Sequence, residues 1–351
     1  MSYVFSEAPQ RVYWEITRAC DLACTHCRAE AQPWSAPGEM STAQALHVLD
    51  ELASFGPPKP HVILTGGDPL KRADFLDLLA HAVGLGLHVS VSPAATPLLT
   101  RERIFGLKQA GVEAMSLSLD GSTAARHDGL RGVPGTFDRT LATARDTIES
   151  GILLQINTLV TTGTMGDLQA IDRLVTDLGA QRWSLFFLIT VGRGKVLGQI
   201  TPEECETLFQ WVWERSRKPG PITTTTEAPH YRRIVVEHLR AQGHPAEALA
   251  SHPLARGFGI RDGNGVMFIG HDGEINPSGF LPLVAGNAKT DSILDVYRNS
   301  PVFVGLRDPK HFEGKCGRCD FRALCGGSRA RAYAATGSPF GSDPLCAYEP
   351  A

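Results

Sequence analysis

The sequence predicts an α/β fold in which parallel strands alternate with crossover helices. Between residue 11 and about residue 217, six short apolar runs alternate with stretches that have helical spacing. Parallel strands need such crossovers, and the right-handed rule leaves two arrangements, an open doubly wound sheet or a partial barrel. In both arrangements ligands bind at the carboxyl ends of the strands.

The six predicted strands are short and rich in β-branched or large apolar residues. Each is followed by turn residues or by a helical stretch, as repeated β-then-α units require. They are Arg11–Thr17, Val62–Thr65, His88–Val91, Glu113–Leu119, Leu153–Val160 and Arg182–Phe187.

The helices between these strands are predicted from apolar spacing and from capping residues. Ser41 has Gln44 three residues later, which suits a capping box, and Leu46, Leu49 and Leu52 then share one face. The later helices are predicted over Asp74–Gly84, Thr100–Ala110, Phe137–Ser150, Gly166–Leu178 and Pro202–Arg217.

The alternation weakens after residue 217, so we expect a core domain over residues 8–218. Lys218–Pro229 is rich in Pro and Thr and is predicted to be a linker or a loop. It opens a bridging segment over residues 219–260, in which Tyr231–Gln242 has helical spacing. Residues 261–351 are predicted to form a smaller domain with a hairpin over Gly263–Gly279 and a helix over Ile293–Arg298.

Composition and charge exclude several classes of protein. The 351 residues are 42% hydrophobic and carry a net charge of −3, so the basic footprint of a nucleic-acid-binding protein is missing. No run of 18 apolar residues predicts a membrane span, and the opening MSYVFSEAPQ is not a secretory signal. We therefore expect a cytoplasmic protein with neither nucleic acid nor membrane as a partner.

The eight cysteines fall into two groups and one isolated residue. Cys20, Cys24 and Cys27 crowd into one short segment, four more lie in the tail, and Cys205 stands alone as a predicted packed thiol. In a reducing cytoplasm such groups indicate bound metal more than disulfides.

The first group has the spacing C-x3-C-x2-C directly after the first predicted strand. A structural zinc site or an electron-transfer cluster normally has four protein ligands, so three thiolates favour a [4Fe–4S] cluster with one open iron. A zinc site with His26 or a remote residue as fourth ligand remains an alternative. More often a residue in the position of His26 packs or hydrogen-bonds beside a cluster.

The segment RACDLACTHC resembles the signature of the radical S-adenosylmethionine (SAM) superfamily, which follows the first strand of a partial (β/α)6 barrel. The resemblance implies that the methionine moiety of SAM chelates the open iron. One electron from the reduced cluster then cleaves the sulfonium and yields a 5′-deoxyadenosyl radical that takes hydrogen from the substrate. The resemblance also implies an electron donor such as flavodoxin or ferredoxin.

Further residues gain a role from this resemblance. The residues Gly66, Gly67, Asp68 and Pro69 follow the second strand, and alone they also fit a turn. They resemble the motif that binds the methionine amino group, where Asp68 replaces the more usual Glu and a main-chain contact survives the change. Four more residues at strand ends or in later loops are implied to contact SAM, although each also fits a capping or turn role: Ser92, Ser118, Arg131 and Asn157.

The second group, Cys316, Cys319, Cys325 and Cys346, can complete either a zinc site or a fully ligated [4Fe–4S] cluster. Its surroundings resemble the C-terminal auxiliary-cluster domains of the superfamily. Four cysteines match the shorter twitch form, a relative of the SPASM domain, and imply one auxiliary cluster.

The segment YWEITRACDLACTHCRAEA and the tail are most similar to radical enzymes of alternative haem and haem d1 synthesis. The resemblance implies a tetrapyrrole side chain as substrate. Relatives of the same architecture modify ribosomally made peptides, so peptide maturation remains an alternative. A non-catalytic metal-binding scaffold is a third reading, and no general acid or base is predicted.

Overall fold

The computed structural model describes residues 3–245, Leu249 and residues 257–350. All six predicted strands are present with ends within two residues of the prediction, and they belong to one sheet. The strands are β1 (Arg11–Glu15), β2 (His61–Thr65), β3 (His88–Val91), β4 (Ala114–Ser118), β5 (Leu153–Val160), β6 (Arg182–Phe187), β7 (Ile222–Thr226), β8 (Arg261–Asp262), β9 (Gly265–Ile269), β10 (Glu274–Asn276) and β11 (Gly286–Asn287).

The order of the strands decides between the two predicted arrangements. Strands β1 to β7 follow one another in chain order, and each neighbouring pair is parallel. A doubly wound sheet would reverse its order at a switch point. The path is open, with β7 at one end and β11 at the other, which confirms the partial barrel.

Helices cover the outer side of this sheet, and the predicted capping box of the first is present between Ser41 and Gln44. The helices are α1 (Thr42–Ala53), α2 (Phe75–Gly84), α3 (Arg101–Gln109), α4 (Ala124–Arg131), α5 (Thr136–Glu149), α6 (Leu168–Leu178), α7 (Pro202–Ser216), α8 (Tyr231–Ala241), α9 (Ile293–Asn299), α10 (Pro301–Arg307), α11 (Gly314–Arg318) and α12 (Arg329–Thr336).

Two sequence predictions are wrong in local structure. Ile222–Thr226 is a strand paired with β6 and not a linker, because its run of β-branched threonines fits the open edge of the sheet. The segment before Arg131 is the helix α4 and not a loop. Thr123 caps its first turn, and Gly132 ends it in the left-handed conformation.

The tail extends the barrel sheet beyond its first strand. Strand β9 lies parallel to β1, and β10 folds back antiparallel to β9, as the predicted hairpin requires. The hydrophobic core runs from the barrel into this extension. Residues 246–248 and 250–256 of the predicted bridging segment lie outside the described residues.

Cys205 is a packed thiol, as predicted. It is fully buried in α7, and its Sγ lies 3.3 Å from Nε2 of His230. Over the described part of the chain, no helix has the length and apolar character needed to cross a bilayer.

Candidate active site and second cysteine site

The three N-terminal cysteines lie on the loop after β1 and line one cavity at the carboxyl ends of the barrel strands. All three are free thiols, with Cys20 and Cys24 buried and Cys27 partly exposed. Each sulfur accepts a hydrogen bond, as is usual for thiolates that bind iron–sulfur clusters. The donors are Leu22 N to Cys20 (3.4 Å), Ala31 N to Cys27 (3.4 Å) and Arg131 Nη1 to Cys24 (3.6 Å).

Gly66 and Gly67 bring the end of β2 against this loop. The amide of Gly67 donates to Thr17 O over 2.8 Å, and Gly66 has a φ of 155°. A Cβ at Gly67 would lie only 2.7 Å from Arg18 O and even closer to Ala19 O. These glycines therefore permit a backbone contact that a larger residue would prevent.

Asp68 and Pro69 lie behind the cavity and do not line it. The buried Asp68 carboxylate accepts from Thr96 Oγ1 at 2.9 Å and from Leu70 N at 3.2 Å, and burial raises its pKa. The side chain thus fixes the turn, while a main-chain contact of Asp68 with SAM stays a prediction.

Arg131 links the first cysteine loop to the end of β4. Besides Cys24, it donates to the carboxylate of the buried Asp120, which also accepts from Leu159 N at 2.7 Å. Burial opposes ionisation of Asp120, but Arg131 holds its pKa below the ordinary value. Burial, reinforced by Arg131, lowers the pKa of His26 to about 4, so its ring is neutral.

The remaining predicted contacts also line the cavity: Ser92, Ser118 and Asn157. Ser92 accepts from Ser116 Oγ at 2.9 Å, and the amide oxygen of Asn157 accepts from Gln155 at 2.7 Å. Ten of the twelve N-terminal residues with a predicted role line this cavity, and only Asp68 and Pro69 do not.

Sequence reasoning missed one wall of the cavity. The end of β6 and the residues that follow contribute an apolar surface, and the tail adds Phe280. Arg28, His127 and Arg193 were also missed, because no motif or spacing marks them. The apolar residues of this wall are Phe186, Phe187, Leu188, Ile189 and Val191.

The four C-terminal cysteines gather around α11 and the tail. Cys316 and Cys325 are buried, Cys319 and Cys346 are partly exposed, and none forms a disulfide. Their sulfurs also accept N–H donors, from Phe321 N to Cys319 (3.4 Å), Gly327 N to Cys325 (3.3 Å), and Arg329 Nη2 and Asp343 N to Cys316 (3.5 Å each).

Three arginines lie around this second site, and in the described part of the chain none of them forms an ion pair with a carboxylate. Arg261 and Arg329 are buried and Arg232 is partly buried, and they donate to backbone carbonyls. Burial lowers the pKa of Arg232 and of Arg261 to about 10 each, while Cys325 opposes that shift. Within the described ranges none of the three forms an ion pair, although the carboxylate of Asp262 also opposes the lowering of the pKa of Arg261.

Neither cysteine group converges on one point. Among the described residues, no three His, Cys, Asp or Glu side chains lie close enough to hold a single metal ion. A four-iron cluster presents a separate iron to each thiolate, so its ligands need not meet at one point.

A partial parallel barrel with thiols, a glycine turn and buried charges around one opening defines a cofactor-dependent barrel enzyme. Residues 14–175 match the model of the radical SAM superfamily. The chain is 38% identical to an AdoMet-dependent heme synthase of Oleidesulfovibrio alaskensis, over 98% of this chain and 89% of that protein.

Two further comparisons agree with this match. An Fe-coproporphyrin III synthase of Methanosarcina barkeri is 28% identical over 95% of this chain and 85% of its own length. The crystal structure of Streptococcus suis SuiB bound to precursor peptide SuiA superposes with a TM-score of 0.73 at 19% identity, covering 97% of this chain and 76% of that chain.

The chain belongs to the radical SAM superfamily. It is therefore an enzyme, and the family implies a [4Fe–4S] cluster and SAM as its cofactors.

Proposed function

We propose that this radical SAM enzyme abstracts hydrogen from a side chain of a tetrapyrrole. The observation that carries the proposal is the shared cavity, where three thiols and a glycine turn face an apolar wall. When bound, the cluster and SAM supply a 5′-deoxyadenosyl radical, and the surrounding residues hold the reactants and exclude water.

The first cluster is assigned to Cys20, Cys24 and Cys27. Each of their sulfurs already accepts an N–H donor, and the three-ligand count leaves one iron for SAM. We assign the methionine end of SAM to Gly66, Gly67, Ser92 and Ser118, with Arg131 as the cation near its carboxylate. His26 and Asn157 lie beside them on the same opening.

A second, auxiliary [4Fe–4S] cluster is assigned to Cys316, Cys319, Cys325 and Cys346, within a C-terminal domain over residues 261–351. The support is electrostatic: three arginines lie around these thiols, one of them donates to Cys316, and none forms an ion pair among the described residues. These four cysteines would hold the cluster with every iron ligated by protein, and a cluster so held would supply electron transfer. The electron for SAM cleavage comes from a donor such as flavodoxin or ferredoxin.

The tetrapyrrole is favoured over a peptide by two lines of support. The chain is 36–38% identical to three AdoMet-dependent heme synthases, but only 26–28% identical to three PqqA peptide cyclases. The cavity wall formed by the end of β6 is apolar and carries two phenylalanines, which suits a flat ring system better than an extended polar backbone.

The test is anaerobic reconstitution followed by turnover with iron coproporphyrin III as the probe. We expect about eight irons per chain, four for each cluster, release of 5′-deoxyadenosine with dithionite and SAM, and a porphyrin product of changed mass. Cys24→Ala should abolish SAM cleavage, whereas Cys205→Ala, a matched thiol outside both sites, should keep it.

Two outcomes would contradict the proposal in different ways. Cleavage of SAM without any change of the porphyrin would refute the tetrapyrrole and favour a peptide substrate. A colourless protein that binds zinc and releases no 5′-deoxyadenosine would refute the ligand assignments themselves.

A further inference from the structure

Three arginines line the cavity that holds the first cysteine group, and two of them are already paired. Arg28 forms an ion pair of 2.5 Å with Glu15 and lies over the ring of Phe268. Arg131 is paired with Asp120 and donates to Cys24. Arg193 is the third.

Arg193 has donors that no residue of the described chain satisfies. Its Nη1 makes a long contact of 3.4 Å to Ala31 O, while Nε and Nη2 are buried and have no hydrogen-bond partner. Leaving buried, charged donors unpaired is unfavourable. The cavity therefore offers a guanidinium edge that is complete only when a ligand supplies an acceptor.

The position of this guanidinium is fixed by the backbone beneath it. Gly192 has a φ of +51°, and a Cβ there would lie 2.5 Å from Arg28 O and 2.6 Å from Cys27 O. The amide of Arg193 donates to Cys27 O over 3.1 Å. The loop that carries Arg193 is thus held against the first cysteine loop, which places the start of its side chain at the cavity.

The surroundings indicate what the acceptor belongs to. Arg193 follows the apolar wall at the end of β6, whereas the residues assigned to the methionine end of SAM follow β2, β3 and β4 on another part of the opening. A guanidinium with two free N–H groups matches a carboxylate. An apolar wall beside it matches the apolar body of the molecule that bears that carboxylate.

We propose that Arg193 binds a carboxylate side chain of the substrate and so determines specificity for an acidic, flat apolar molecule. This inference rests on the proposed function, because it takes the tetrapyrrole as the occupant of the apolar wall.

The test measures binding in the reconstituted, anaerobic enzyme by absorbance titration. The probes are iron coproporphyrin III, which has free carboxylates, and its methyl ester. The wild type should bind the free acid more tightly than the ester. Arg193→Gln should weaken binding of the acid about ten- to a hundredfold and abolish the preference. Arg193→Lys, which keeps the charge, should bind with intermediate affinity.

Controls separate this inference from folding and from SAM binding. Arg145→Gln, an exposed arginine on α5, should bind both porphyrins like the wild type. Iron content should be unchanged in Arg193→Gln, and its affinity for SAM, measured without porphyrin, should equal that of the wild type.

Three results would overturn the inference. Weaker SAM binding with unchanged porphyrin binding in Arg193→Gln would assign the guanidinium to the SAM carboxylate. An unchanged preference for the acid would show that Arg193 binds no substrate carboxylate. If the wild type converts the porphyrin but binds acid and ester equally, the assignment of Arg193 to a substrate carboxylate is refuted and the tetrapyrrole substrate is not. If the wild type neither binds nor converts the porphyrin, the tetrapyrrole substrate itself is refuted.

Discussion

At the residue scale, Gly67 determines how closely the end of β2 approaches the first cysteine loop. Its amide donates to Thr17 O, and the next amide, that of Asp68, donates to Ala19 O at 2.7 Å. These bonds tie the end of β2 to the backbone immediately before Cys20. The space for a side chain is taken up by carbonyl oxygens, which cannot move without moving the cysteine loop.

We expect Gly67→Ala to displace Cys20 and the SAM-binding turn. Overpacking of this kind costs about 1–3 kcal/mol of stability, and misplacement of about 1 Å lowers rates about a hundredfold. The measurement is the rate of 5′-deoxyadenosine release, with melting temperature alongside. Gly84→Ala is the matched control, because nothing lies within 4 Å of its Cβ, and it should keep full activity. Full activity in Gly67→Ala would show that the close approach is unimportant.

At the scale of the element, the connection from β7 to α8 holds the barrel to the tail. Glu227 adopts a φ of +58°, its carboxylate accepts from Ser328 Oγ at 2.5 Å, and its carbonyl accepts from Arg331 at 2.7 Å. Burial raises the pKa of Glu227 to about 8, with Asp262 adding to the shift and Ser328 and Arg331 opposing it. The sequence predicted a linker here, since proline-rich flanks concealed both the strand and its tertiary contacts.

This carboxyl predicts a pH dependence of stability. Between pH 5 and pH 8 native Glu227 keeps a proton that the unfolded chain has released, so stability falls as pH rises through that window. We expect Glu227→Gln to remove a slope of about 1 kcal/mol per pH unit. The melting temperature of the variant should therefore fall less than that of the wild type between pH 6 and pH 8.

The control for this comparison is Glu214→Gln, an exposed glutamate on α7, which should follow the wild-type pH profile. Parallel profiles for the wild type and Glu227→Gln would show that Glu227 is ionised across the whole window.

For the whole molecule, the position of the buried charges says more about the second cysteine site than the net charge does. The net charge of the chain is only −3. Nevertheless, three arginines that form no ion pair with a carboxylate of the described residues lie around the second cysteine site. The sequence predicted both cysteine groups because their spacing is local, and six strands because their apolar runs are distinct. It did not predict these arginines or β7, because their partners come from distant parts of the chain, and it gave Arg193 no role because no motif marks that residue.

If the auxiliary cluster is bound as proposed, these arginines raise its reduction potential by stabilising the more negative, reduced form. Arg329→Gln removes the donor to Cys316 and should lower the midpoint potential by on the order of 100 mV, from a Coulomb energy of about 2 kcal/mol. Redox titration followed by electron paramagnetic resonance measures it.

Arg329→Lys keeps the charge and should stay close to the wild type, and the first cluster should keep its potential in both variants. An unchanged potential in an Arg329→Gln protein that retains its full iron content would contradict the electrostatic role.

The pairing of β1 with β9 has a consequence for biosynthesis. Strand β1 leads directly into the first cysteine loop. One of its two neighbouring strands is β9, in which Val266 lies opposite Arg11, and β9 is made late in translation. The nascent chain therefore leaves this strand with an open edge until most of the protein has emerged from the ribosome. Iron delivered before β9 has emerged would meet a loop whose supporting strand still lacks one neighbour, so we expect cluster insertion to follow the emergence of β9.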